Sequence, residues 1–139
     1  MLKEQIAQWG EASFGQPAPE TELKRCEEAL GEPLPPELRT LLKEADGVVG
    51  EYGLGLVWES GRIAHDNRHF RSDSTFGELY LPFEGLVFFA DAGNGDQFAI
   101  ALRANREVYV WDHEDDSRRW VAPTVMVYLE WWMTGRLSI

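Results

Sequence analysis

One cysteine, Cys26, is all the sequence offers, so no internal disulfide can form and the chain suits a reducing compartment. Basic residues are also scarce: 13 lysines and arginines face 24 aspartates and glutamates, a net of −11. A field of that sign repels phosphate backbones and anionic lipid surfaces, so neither nucleic acid nor a membrane is expected as a partner. It speeds encounter with a basic protein, although the same charge also serves solubility alone. No apolar run approaches the length of a membrane span. The opening residues MLKEQIAQWGEA lack the uninterrupted apolar core of a signal peptide, and the expected location is therefore cytoplasmic.

What is present suits one globular domain over residues 1–139, because a chain of this length buries enough surface to fold without a metal or disulfide. Six tryptophans, four tyrosines and seven phenylalanines supply large packing units. Helical spacing dominates the first third. Leu2, Ile6 and Trp9 make one stripe, and Gly15 to Pro19 breaks it. Leu23, Cys26 and Leu30 make a second stripe from about Thr21 to Gly31. Leu34-Pro35-Pro36 opens a third helix whose inner face carries Leu38, Leu41, Leu42 and Ala45, with Asp46-Gly47 as its stop.

A strand over Leu54 to Trp58 and a helix over Glu59 to Arg71 follow, the helix with Ile63, Asn67 and Phe70 on one side. Ser72 to Glu78 reads as a loop. The second half changes period: strands are expected at Leu86 to Ala90, Gln97 to Leu102, Glu107 to Trp111 and Trp120 to Ala122. Arg103 to Arg106 and the acidic Asp112 to Ser117 are turns between them. Val125, Tyr128, Leu129 and Trp132 predict a terminal helix closed by Gly135. Helices, an antiparallel meander and a last helix make the fold class α+β.

The stretch Asp91 to Asp96, DAGNGD, invites a ligand reading that its spacing defeats. Counted as a calcium loop it has Gly93, Gly95 and Leu102 where ligands belong. It leads into a strand, not a helix, and has no lysine with serine or threonine to hold a phosphate. It reads as a hairpin turn in which Gly93, Asn94 and Gly95 supply positive φ and Asp91 and Asp96 accept backbone N–H groups. His65 and His69 share a helix face at zinc-like spacing, yet no glutamate base follows the first, and they read as partly exposed. Asp112 beside His113 evokes an acid–base pair, but neighbours on a strand face opposite ways. No catalytic, cofactor or metal residue is assigned. Trp9, Trp111 and Trp132 fall on core-facing positions, whereas Trp58, Trp120 and Trp131 fit either packing or an exposed contact.

Several pieces stand in order along the chain: Leu34-Pro35 with Leu38 and Leu41-Leu42; Asp46-Gly47; Asn67 with Phe70-Arg71; Leu81-Pro82; Leu86 to Gly95-Asp96; Val108 to His113; and Val121-Ala122. From about Thr21 to about Trp132 this series resembles the SUKH superfamily, in particular its bacterial branch related to the yeast cell-wall assembly regulator, the Smi/Knr family. Ala90 and Ala92 stand where relatives often carry glycine or an acidic residue. The resemblance implies one α+β domain, a sheet flanked by helices, and no activity of its own. Bacterial members are often immunity proteins that bind and block a toxin, frequently a nuclease; others look like scaffolds.

Joined to the charge, the resemblance makes the expectation a non-catalytic, immunity-type module that binds a basic toxin domain. An adaptor for a housekeeping protein is the alternative. The expected binding face is Asp91, Asp96, Asp112, Glu114, Asp115 and Asp116 on turns at one sheet end, with Trp58 or Trp120 as apolar anchor.

Overall fold

Carboxylates far away in sequence do much of the work of starting the helices. The computed structural model describes residues 1–73, 83, 85–102 and 105–139. Helix α1 (Leu2–Ala7) buries Ile6, and Glu44 accepts the Leu2 N–H at 3.0 Å. Helix α2 (Glu20–Leu30) buries Leu23, Cys26 and Leu30, as its spacing predicts, and ends at Gly31. Helix α3 (Pro36–Glu44) begins on a proline, whose missing N–H would find no partner in a first turn. Helix α4 (Ser60–Ser72) starts on Asp46, which accepts the Ser60 N–H at 2.7 Å and its hydroxyl at 3.1 Å. Helix α5 (Val125–Met133) has a local cap, the Thr124 hydroxyl accepting from Val127, and a remote one: Glu37 of α3 accepts from Val125 and Met126 at 2.7 and 3.1 Å. Each such cap satisfies a backbone donor that would otherwise be orphaned.

Two antiparallel sheets lie among these helices. The small one joins β1 (Ser13–Phe14), β2 (Val48–Val49) and β3 (Gly55–Val57). The sequence reading missed β1 and β2, because two residues are too few to show an alternation. The large sheet is the meander β4 (Leu86–Asp91), β5 (Gln97–Ala101), β6 (Val108–Trp111) and β7 (Arg118–Ala122), in that spatial order. The α+β fold is as expected. The loop assigned to Ser72–Glu78 starts later, since Ser72 closes α4, and residues 74–78 lie outside the described residues, as do Leu81, Pro82, Arg103 and Ala104. Among the described residues no helix is long and apolar enough to cross a membrane.

The large sheet is covered on both faces, which explains the unbroken apolar run of β4. One face sets Phe88 and Trp111 against Phe70 of α4 and Phe83, with ring centroids 5.0 Å apart for Phe70–Phe88 and 5.4 Å for Phe83–Trp111. The other sets Phe89 and Phe98 against Tyr128 of α5 at 5.3 and 4.7 Å, and the Tyr128 hydroxyl donates to the Leu56 carbonyl at 2.8 Å.

The outer edge of β4 is closed by other elements. The Trp58 N–H donates to the Phe89 carbonyl at 2.7 Å. The carboxamide of Asn67, fully buried on α4, takes the Phe88 N–H at 2.7 Å and gives an N–H to the Phe88 carbonyl at 2.8 Å. One side chain thereby stands in for a missing strand. Arg71, one turn on, donates to the carbonyls of Leu30 and Leu86 at 2.8 and 2.9 Å, tying α2, α4 and β4 together.

Candidate protein-binding surface

Strand register decides where the acidic turns go. Asp91 lies opposite Gln97, Gln97 opposite Trp111, and Trp111 opposite Arg118, so four strands end in one row. The β4–β5 turn and the β6–β7 turn therefore leave the same end of the sheet, side by side. Six of the residues singled out from sequence, Asp91, Asp96, Asp112, Glu114, Asp115 and Asp116, stand at that end.

Their chemistry differs from what alternation suggests. In the first turn Gly93 and Gly95 have φ of +94° and +96°. Asn94 does not share the left-handed conformation expected of it; its side-chain oxygen instead accepts the Asp96 N–H at 3.0 Å. Asp91 does not bond backbone across the turn either. Its two oxygens take both terminal nitrogens of Arg62 on α4 at 2.9 Å each, a bidentate ion pair. Arg62 lies 4.0 Å over the Trp58 ring.

Asp96 reaches the neighbouring turn. It accepts the His113 N–H at 3.2 Å and meets His113 Nδ1 at 2.6 Å. This bond comes first among the causes that raise the His113 pKa, outweighing partial burial, with the Asp96, Glu114 and Asp112 charges adding to it. Gly95 is required where the ring sits, since a Cβ there would lie 2.8 Å from His113 Cε1. Asp112 turns to the Glu114 N–H at 2.9 Å, so His113 pairs across turns and not with its sequence neighbour.

Asp115 accepts the Ser117 N–H at 2.8 Å, which lowers its pKa. Asp116, at φ +62°, accepts from Trp111 Nε1 at 2.7 Å and from Arg118 at 3.0 Å. Three of the six carboxylates thus hold the turns in shape through Arg62, His113 and Arg118, while Glu114 and Asp115 are exposed and Asp112 is half-buried.

Asp96, Asp112 and His113 bring their ligand atoms within 4.8 Å of one another, a grouping the sequence reading missed because its members are 16 residues apart. The Nδ1 proton shared with Asp96 would have to leave before a cation could take that nitrogen. His65 and His69, with side chains 81% and 55% exposed, stand beside Asp66 and Asp73. The tryptophans divide. Trp58, which fitted either packing or an exposed contact, is 2% exposed and so cannot serve as the apolar anchor; the Gly55–Trp58 segment runs inward against β4. Trp120, on the outer strand β7, is 45% exposed, and its Nε1 donates to Glu107 at 3.1 Å. Cys26 is buried, and burial pushes its thiol up to about 12.

A family model, the SMI1 / KNR4 family (SUKH-1), matches residues 17–131. The chain belongs to that family. Among curated proteins none matches the chain. The SUKH-1 match covers the Asp46 and Glu37 helix caps, the Asn67 clamp and both acidic turns, and it suggests a protein-binding module of a generally non-catalytic kind.

Proposed function

We propose that this chain is a non-catalytic, immunity-type protein that binds and neutralises a toxin domain with a basic, nuclease-like active face, and does so in the cytoplasm. The observation that supports the reading most is the common row Asp91–Gln97–Trp111–Arg118, which gathers two acidic turns at one sheet end. Internal partners fix Asp91, Asp96 and Asp116, so the exposed Glu114 and Asp115, with the half-buried Asp112, meet a partner on turns already ordered. Preorganised charge of one sign favours fast encounter with a cationic surface. Of the two anchors expected, Trp58 or Trp120, the exposed Trp120 on β7 is the one that remains.

The test is co-expression with the toxin domain encoded beside it, followed by association kinetics on the purified pair. The on-rate is expected to fall at least tenfold from 50 to 500 mM salt, as screening removes steering. A salt-independent on-rate would remove the electrostatic argument. A housekeeping protein as the sole specific partner would replace immunity by the adaptor role.

A further inference from the structure

One residue neither turn explains is Tyr52. It sits in the short turn Glu51–Gly53 with φ +59° and ψ +24°, a left-handed conformation that costs a residue with a side chain of its size. The strain does not serve packing: Tyr52 is 102% exposed, more than any other large hydrophobic residue described. Its ring has no described hydrogen bond or ring contact. A glycine would hold the same backbone without strain, so what the tyrosine adds is an aromatic face directed at solvent.

That face borders a groove of about 540 Å³ whose opposite wall is the β4–β5 turn. Glu51, Asp91 and Asp96 line it, and among the described residues no lysine, arginine or histidine does. Arg62 pairs with Asp91 and the His113 ring bonds Asp96, while Glu51 has no described ion-pair partner. Gln97 lines the groove too, and its buried side-chain oxygen has no described hydrogen-bond partner. The arrangement is an aromatic plate and an uncompensated carboxylate on an acidic groove; the Gln97 oxygen itself is closed off by burial.

We infer that this groove receives an arginine side chain from a basic loop of a protein partner, with Tyr52 stacking on the guanidinium and Glu51 accepting its N–H groups. Guanidinium fits both features at once: it is planar and weakly hydrated, carries five donors, and stacks on aromatic faces. The inference rests on the protein-binding reading above and moves its hot spot from the exposed tryptophan to the groove beside the first turn.

The test titrates the full ¹⁵N-labelled chain at 150 mM salt with a hexa-arginine peptide, against a hexa-glutamine control. Saturable shifts at Tyr52, Gly53, Gly93, Gly95 and Gln97 with the arginine peptide alone are expected. In Tyr52→Gly the affinity should drop at least tenfold while the melting temperature stays level or rises, since strain is relieved. Glu51→Gln should cost threefold or more. Shifts confined to Asp112–Ser117, no shifts at all, or an unchanged affinity in Tyr52→Gly would each overturn the groove. The two readings fail separately: a tight toxin complex untouched by Tyr52→Gly sinks only the groove. Absence of any basic partner sinks the immunity reading whatever the peptide does.

Discussion

Replacing Asn67 by alanine should cost this protein about 3 kcal/mol, although the residue carries no charge and touches no expected binding residue. The figure follows from what the carboxamide leaves behind. Its bond to the Ile63 carbonyl, at 2.7 Å, is dispensable, because that oxygen sits where an α-helix already bonds it. The Phe88 N–H and carbonyl are different: both are buried between α4 and the sheet and point away from β5, and Asn67 serves both. An unsatisfied buried backbone group costs about 1–3 kcal/mol, and two at the low-to-middle range give about 3. A water entering the vacated space would reduce this towards 1, and only in a polar site large enough to hold it.

Urea unfolding followed by tryptophan fluorescence reads the effect. With a slope of about 1.5–2 kcal/mol/M the midpoint should drop by about 1.5–2 M. Asn67→Asp adds a second signature. Protonated, its carboxyl can donate to the Phe88 carbonyl; ionised, it is a buried charge facing a carbonyl oxygen. Its pKa in the folded state therefore lies above the unfolded value, and the variant should lose stability as pH rises from about 4 to 7. Ser72→Ala, at the exposed end of the same helix, should stay within about 0.5 kcal/mol. An alanine cost below about 1 kcal/mol, or an aspartate variant indifferent to pH, would refute the idea that one side chain replaces a strand.

Three further outcomes are expected. Glu37→Ala should lower stability by about 1–2 kcal/mol in thermal unfolding, since it strips Val125 and Met126 of their shared acceptor, whereas the exposed Glu114→Ala should not. The His113 imidazole, followed by NMR, should titrate above the ordinary value of about 6.5 and fall back in Asp96→Asn. With the folded-state value raised, the stability this pair contributes is whole below about pH 6.5. It is lost as pH rises through the folded value, so wild type and Asp96→Asn should converge in alkali. Cys26, buried with its thiol pushed up to about 12, should resist Ellman's reagent at pH 8 until the protein unfolds.

The fold was legible wherever an element was long enough to show a period. The leucine stripes of α2 and α3 and the covered run of β4 repeat over several residues, and each appears where its spacing puts it. The pairs Ser13–Phe14 and Val48–Val49 have no period to read, and only the folded chain brings them together. The candidate surface was half legible. Strand order and turn position put six acids at one end, but spacing along a chain says nothing of which carboxylate meets Arg62, His113 or Arg118. Spacing left Trp58 open between packing and an exposed contact, and its part as an anchor falls because Arg62 lies over its ring and its N–H is bonded to β4. Tyr52 left one trace, the glycines on either side at Gly50 and Gly53, and a bend that needs special backbone is where an unusual side chain is worth inspecting.

Net charge is a poor guide to where this protein binds, because its acids have two employments. Glu27, Glu37, Glu44 and Asp46 accept backbone N–H groups from other segments, Asp91 and Asp116 pair with arginines, and Asp96 bonds the His113 ring. If steering depended on the total of −11 alone, any two exposed glutamates would be equivalent. Two double variants separate the possibilities. Glu114→Lys with Asp115→Lys, and Glu4→Lys with Glu28→Lys, each move the net charge from −11 to −7, two units per substitution, and all four positions are exposed. Debye screening at 0.15 M confines the field of a surface charge to about 8 Å, so the partner should feel the turn pair and ignore the helix pair. The on-rate for the toxin domain should fall at least tenfold in the first and by less than threefold in the second. Equal slowing in both would mean that the whole molecule's charge, and not the end of the sheet, attracts the partner.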